Sequence, residues 1–246
     1  MNNTGFDAAS YREINEARWR FFEPWIRRLV ETAGLRHVID VGAGAGYFSE
    51  KLAALGLSVT ATDGRADNVA EIARRYPGLR TEVVDIQKPQ ALEPFQDADM
   101  VFCAGLLYHL DNPVAALRSL GAVAARVMII ETQLIPDKGP FLRLVEEGAS
   151  DTQGLDHLAL VPSQVTLVRL LHLFGWKHVY LVPGHPDHWQ FHETRRHHRL
   201  RSVFVASREP LAIPDLRLLN SKKEGKGFQE KPQGIVTRLV RKLRGN

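Results

Sequence analysis

Cysteine occurs only once in the 246 residues, as Cys103, so no internal disulfide braces the chain. That thiol lies within an apolar run that reads as a strand, where it packs as a small hydrophobe, and a reducing cytoplasmic setting is expected. Long apolar runs are missing too: no stretch approaches the roughly 18 residues that cross a bilayer. The opening MNNTGFDAAS lacks the basic and hydrophobic regions of a secretory signal. No repeat recurs at a fixed period and no low-complexity tract is extended, which argues against a solenoid. Excess charge of one sign is absent from most of the chain. Residues 221–246 hold eight Lys or Arg against two Glu, and taking this +6 from the overall +4 leaves −2 for the rest. With no zinc finger, RNA-recognition strand motif or continuous basic-aromatic groove, the body makes a poor nucleic-acid case, although the tail can contact an acidic partner, phosphates or a membrane surface.

What is present suits one α/β domain with appendages: 44% of residues are apolar and 24% charged. Residues 11–33 read as one helix or two abutting helices, with Pro24 starting or kinking the second. This segment, within a helical unit spanning 1–34, is a packing helix whose aromatic amino-terminal half is a candidate lid. Strands are then expected at 37–41, 58–62, 80–84, 99–104 and 126–131, alternating with helices at 47–55, 67–76 and 113–123. Such βα alternation predicts a mainly parallel sheet with helices on both faces. The pattern is irregular from 134 to 162, resumes with a helix from Pro162 or Ser163 that ends at Gly175, and continues as strands at 177–182 and 200–207. These two are expected to pair as an antiparallel edge. The domain is therefore taken as 35–208, with variable segments at 134–162 and 183–199 and a basic extension at 209–246 in which 235–244 has the pattern of a short amphipathic helix.

Chemistry concentrates in the ordered series Asp40, Gly42, Gly44, Gly46, Asp63, Asp85. IDVGAGAGYFSEKLA sets a glycine-rich turn between strand and helix, where missing side chains let a ligand approach the backbone. Closely spaced glycines alone are weak evidence, since structural turns and dinucleotide enzymes use them as well. Parallel topology brings Asp63, at the end of the second strand, beside that turn, where its carboxylate can accept ribose hydroxyl hydrogens. Asp85 recurs after the third strand, positioned for an adenine amino group with Ile86 covering the ring. Helix capping is the competing role for either aspartate. Asp40 either organises the turn or orients water.

VIDVGAGAGYFSEKLAALGLSVTATD, followed by VVDIQKP and VFCAGLLYHLDNP, resembles the cofactor half of the class I S-adenosylmethionine-dependent methyltransferases over about residues 35–135. The resemblance implies a Rossmann-like fold with a seven-stranded, mostly parallel sheet in the order 3-2-1-4-5-7-6, the seventh strand antiparallel. It implies S-adenosyl-L-methionine as cofactor, with Gly42, Gly44 and Gly46 at its methionine part, Asp63 at ribose, and Asp85 and Ile86 at adenine. Gly105, Leu106 and Tyr108 resemble the segment beside the transferred methyl. The competing readings are an NAD(P)-dependent Rossmann oxidoreductase, for which no positioned Tyr and Lys pair is evident, and a noncatalytic cofactor-fold binding or regulatory protein.

His109, after the fourth strand, is the candidate general base, and His157, before the late helix, is a second candidate facing the acceptor. Glu131, Thr132 and Gln133 close the fifth strand at the mouth of the site. The run GHPDHWQFHETRRHH gathers His185, His188, His192, His197 and His198, which read as a substrate-covering loop, a solvated insertion or a metal site; the spacing defines no ligand shell, and no metal is assigned. A small-molecule acceptor is preferred, with RNA or protein as alternatives.

Overall fold

The computed structural model describes residues 5–148, 154–155, 157–195 and 198–219. A short 3-10 turn, Gly5–Asp7, precedes α1 (Ala9–Ala33), and the chain then runs through β1 (His37–Val41), α2 (Tyr47–Ala54), β2 (Ser58–Asp63), α3 (Ala66–Arg75), β3 (Arg80–Val83) and β4 (Met100–Ala104). Next come α4 (Pro113–Ala122), β5 (Val127–Gln133), β6 (Leu142–Glu146), β7 (Leu158–Pro162), α5 (Gln164–Leu173) and β8 (His178–Leu181). The described chain closes with α6 (Trp189–His192), β9 (Thr194–Arg195), β10 (His198–Arg199), β11 (Arg201–Ser207) and β12 (Arg217–Leu219).

The main sheet runs β3-β2-β1-β4-β5-β11-β8-β12. β1 to β5 pair in parallel, while β11 is antiparallel to both β5 and β8. Its first seven strands therefore follow the expected order, and the expected strand count is corrected from seven to eight. The addition is β12, which pairs antiparallel with β8 from within the segment assigned to the basic extension. The late pair β8 and β11 is antiparallel as expected, but β12 forms the edge. Its three residues carry too little pattern to announce a strand. The amphipathic pattern at 235–244 lies outside the described residues.

Side-chain alternation divides each central strand between two cores. In β4, Val101 and Cys103 join Ile39, Leu117, Leu167, Val168 and Trp176, while Met100 and Phe102 join Phe22, Ile26, Leu29, Phe48 and Leu52. The first core lies under α4 and α5, and the second under α1 and α2. Both faces are thus covered, as near-continuous apolar strands require. α4 and α5 start on local signals: Asn112 accepts from Ala115 N–H before Pro113 in α4, and Ser163 accepts from Thr166 N–H in α5.

α1 is a single helix that continues through Pro24. Its buried stripe Ile14, Ala17, Phe22, Ile26 and Leu29 spans both sides of the proline, which faces solvent. Packing of that stripe on the sheet outweighs the backbone hydrogen bond that proline removes. A second departure falls in the segment read as irregular, where β6 and β7 form an antiparallel hairpin. All five β6 residues are exposed, so no in-out alternation marks the strand.

Candidate ligand-binding site

Parallel pairing brings the carboxyl ends of β1 to β4 to one edge, and a cavity of about 280 Å³ opens there. Its floor includes residues 42–45, Asp63, residues 84–86, Gly105 and Leu106; its roof is Phe6 with Tyr11, Asn15 and Arg18 from the first half of α1. The carboxyl half of α1 packs on the sheet, which carries its amino-terminal half beyond the sheet edge and over the opening.

Two glycines define the cradle. Gly42 and Gly44 have φ of 75° and 57°. A Cβ on Gly42 would stand 2.8 Å from Leu106 Cδ2, and one on Gly44 2.7 Å from Phe6 Cε1. Any other residue would be both strained and crowded there. The turn is also tied to the neighbouring strand, because Gly42 and Ala43 N–H both donate to the Thr62 carbonyl at 2.9 Å.

Asp63 faces this turn. Its Oδ2 accepts from Gly44 N–H at 2.9 Å, and its Oδ1 from Arg65 N–H at 2.9 Å and Asn68 Nδ2 at 3.1 Å. Of about four acceptor directions on a carboxylate, these bonds leave roughly one for a further donor. Burial pushes the Asp63 pKa up, against the hydrogen bonds from Arg65 and Gly44. Asp85 lines the same cavity and accepts from Gln87 N–H at 3.1 Å, beside the buried Ile86.

Asp40 does not line the cavity. It is 2% exposed behind the turn and accepts from Ser49 Oγ at 2.6 Å. Burial raises its pKa from 3.8 to about 7, opposed by Ser49 and reinforced by Asp63. A carboxyl with a raised folded-state pKa stabilises the fold fully below its unfolded value and loses that contribution as pH rises through its folded value. Wild type should therefore lose stability relative to Asp40→Asn between about pH 4 and 7. Urea unfolding at pH 4.5 and 8 should show Asp40→Asn gaining on wild type by up to about 3 kcal/mol, an upper bound from 1.36 kcal/mol per pKa unit over the part of the shift above pH 4.5. A difference independent of pH would contradict a buried, partly protonated carboxyl.

His109 lines the cavity, with Nδ1 2.6 Å from Glu147 Oε1. Glu147 Oε2 accepts from Gly154 N–H at 3.2 Å, and His109 with Gly154 holds the Glu147 pKa down against burial. Glu147 was not singled out in the sequence; it follows β6, whose pairing with β7 brings it to the site. His157, the other candidate base, is exposed and does not line the cavity; its carbonyl accepts from Glu147 N–H at 2.8 Å.

Beyond Gly105 lies a buried charged cluster. Glu131, fully buried, bridges Arg201 Nη1 at 3.0 Å and Arg18 Nη2 at 3.2 Å. Arg201 Nη2 donates to Tyr108 Oη at 2.9 Å. Tyr108 thus sits behind the cavity wall, and Gly46 is likewise outside the lining, against Ile72 and Tyr76. Arg18 and Arg201 were not anticipated, nor were Tyr11 and Asn15. Tyr11, Asn15 and Arg18 do fall on one helical face, and that spacing was the available signal.

The His-rich segment folds in part over this cluster: Phe191 is fully buried, with Arg18 and Arg201 Cζ 5.8 and 5.6 Å from its ring centre. His188 caps α6, and His185 and His192 rings lie 4.8 Å apart. Among the described residues no three His, Cys, Asp or Glu side chains gather as metal ligands; His197 lies outside those residues. No described helix is long and apolar enough to cross a membrane.

A family model described as a methyltransferase domain matches residues 11–181. The tRNA U34 carboxymethyltransferase of Desulfotalea psychrophila is 26% identical over 182 residues, covering 70% of this chain and 55% of that protein. The ubiquinone biosynthesis O-methyltransferase of Bordetella parapertussis is 33% identical over 106 residues, covering 41% and 43%. The chain thus spans about half the length of these curated relatives. Among solved structures, the N-terminal domain of EvdMO1, crystallised with SAH and D-fucose, aligns with a TM-score of 0.61 at 20% identity over 79% of this chain and 82% of that one. Magnesium protoporphyrin IX methyltransferase from Synechocystis PCC 6803 with bound SAM aligns with a TM-score of 0.54 at 17% identity, over 85% and 86%.

Proposed function

Because the chain belongs to the methyltransferase-domain family, we propose that it moves a methyl group from S-adenosylmethionine to a small-molecule acceptor. The observation that carries this reading is the convergence of the glycine turn, Asp63 and Asp85 on one cavity. The cradle fits the cofactor: Gly42 and Gly44 carry no side chain of their own beside Leu106 and Phe6, Asp63 keeps an acceptor direction toward ribose, and Asp85 with Ile86 suits the adenine edge and face. Gly105 and Leu106 border the methionine part, while Asp40, Gly46 and Tyr108 support the wall from behind. When bound, S-adenosylmethionine supplies a methyl group already activated on a sulfonium. The chain's task is to align the acceptor and exclude water, for which proximity is worth up to roughly 7–11 kcal/mol in favourable models.

His109 is the base in this proposal. Glu147 engages Nδ1, which leaves Nε2 as the ring atom that takes the proton from an acceptor hydroxyl or amine, and the carboxylate stabilises the resulting imidazolium. Phe6 and the first half of α1 act as a lid, which favours a small acceptor over a macromolecule. The lone buried thiol supports a cytoplasmic setting.

A screen with labelled S-adenosylmethionine against phenols, amines and total tRNA tests the reading; binding without transfer to any class would leave a noncatalytic cofactor-binding module. Once an acceptor is found, His109→Ala should lower kcat by about 10²–10⁴ and Glu147→Gln by a smaller factor. Both should leave S-adenosylhomocysteine affinity within about threefold. A His109→Ala enzyme with wild-type kcat at all pH values would remove the base from the proposal.

A further inference from the structure

We propose that the buried guanidinium of Arg18, joined through Glu131 to that of Arg201 behind it, is a receptor for a carboxylate on the methyl acceptor. This deepens the methyl-transfer reading and rests on it. Among the described residues, Glu131 is the one carboxylate paired with either arginine, so two fixed positive charges share one negative charge. The nearby Tyr11 does not supply a second, because burial pushes its phenol up to about 12. A guanidinium held out of water without a full counter-charge is costly, and a ligand anion relieves that cost.

A second observation is independent of the charge count. Arg18 Nε is buried and has no hydrogen-bond partner, yet Arg18, unlike Arg201, lines the cavity. The guanidinium stands over the turn after β4, where a Cβ on Gly105 would lie 3.5 Å from Nη1. Its fork is also held in place: Nη1 donates to Asn15 Oδ1 at 3.1 Å, and the Phe191 ring lies beside both arginines. A fixed, planar set of donors suits a carboxylate better than a compact cation would.

Position along the sheet separates acceptor from cofactor. Neighbouring strands lie about 4.8 Å apart, so Glu131 on β5 and Arg201 on β11 stand roughly 10 and 14 Å from the glycine turn of β1. Asp63 and Asp85 lie in the opposite direction, on and after β2 and β3. With the adenosine held on that side and the methionine part at Gly105, Arg201 lies farther along the sheet toward β11 and Arg18 stands over Gly105, next to the methyl and on the side where His109 follows β4.

The test uses full-length protein saturated with S-adenosylhomocysteine. It is titrated with two matched pairs, 3,4-dihydroxybenzoate against its amide and 3-hydroxybutyrate against its amide. At least one carboxylate should bind about tenfold or more tightly than its amide. Arg18→Met should reduce that preference below about threefold, and Arg201→Met should weaken it, with S-adenosylhomocysteine affinity falling less than tenfold in either. Arg18→Lys, which keeps the charge where the methionine variant fails to fold, should still lose most of the preference because the fork is gone. No carboxylate preference in wild type overturns the proposal. So does a tenfold loss of S-adenosylhomocysteine affinity in Arg18→Met with 5′-methylthioadenosine affinity spared, because the arginines would then serve the cofactor's own carboxylate. Folded wild-type protein that binds no S-adenosylhomocysteine sinks the methyl-transfer reading instead, a separate result.

Discussion

Asp63→Ala should weaken S-adenosylhomocysteine binding by about one to two orders of magnitude, measured by calorimetry on protein confirmed as folded. A hydrogen bond to a charged group contributes about 1.5–3 kcal/mol, and each 1.4 kcal/mol is tenfold. The substitution removes the acceptor for ribose and also frees Gly44 N–H, Arg65 N–H and the Asn68 amide, all of which now converge on Asp63. The glycine turn would lose its anchor at the moment it loses its ligand contact. Asp63→Asn is informative because its single carbonyl oxygen can still serve Arg65 and Asn68, while its NH2 would then face the Gly44 donor. It should fall between wild type and Asp63→Ala. Wild-type affinity in both variants would remove Asp63 from the cofactor site.

Glu131→Ala should have the largest effect on stability. It leaves two guanidiniums buried without their shared carboxylate, and breaking such a pair from one side costs about 3–5 kcal/mol. Against a typical domain stability of about 5–15 kcal/mol, that is enough to leave a substantial unfolded fraction on modest warming. The triple variant Arg18→Met, Glu131→Met, Arg201→Leu removes all three charges together and should recover most of the lost stability, because the polar groups are then absent rather than orphaned. Paired urea titrations decide this. If Glu131→Ala unfolds at the wild-type denaturant concentration, the cluster is solvated and the charge count behind the carboxylate receptor fails.

Much of the frame is legible in the sequence because its signals are local. β1 and β4 are apolar runs bounded by polar residues, and Gly42, Gly44, Asp63 and Asp85 each follow a strand whose parallel pairing brings them to one edge. Other features depend on distance or burial. Arg201 and Glu131 are 70 residues apart, and nothing near either announces the other. Whether Arg18 points into the cavity or into solvent depends on how α1 lies across the sheet, which its own periodicity leaves open. Pro24 reads locally as a break, yet the apolar stripe packed on both sides of it keeps the helix whole. The exposed β6 and the three-residue β12 have no in-out pattern, so their pairing became apparent only from the fold. Glu147 was missed for the same reason, since its contact with His109 depends on that hairpin.

One pair of binding titrations bears directly on the central claim, that a glycine turn and two carboxylates at neighbouring strand ends hold a single adenosyl group with a methionine side arm. Full-length protein titrated separately with S-adenosylhomocysteine and NADH should bind the first at one site per chain and give no saturable response to the second. Saturable NADH binding with no response to S-adenosylhomocysteine would contradict it.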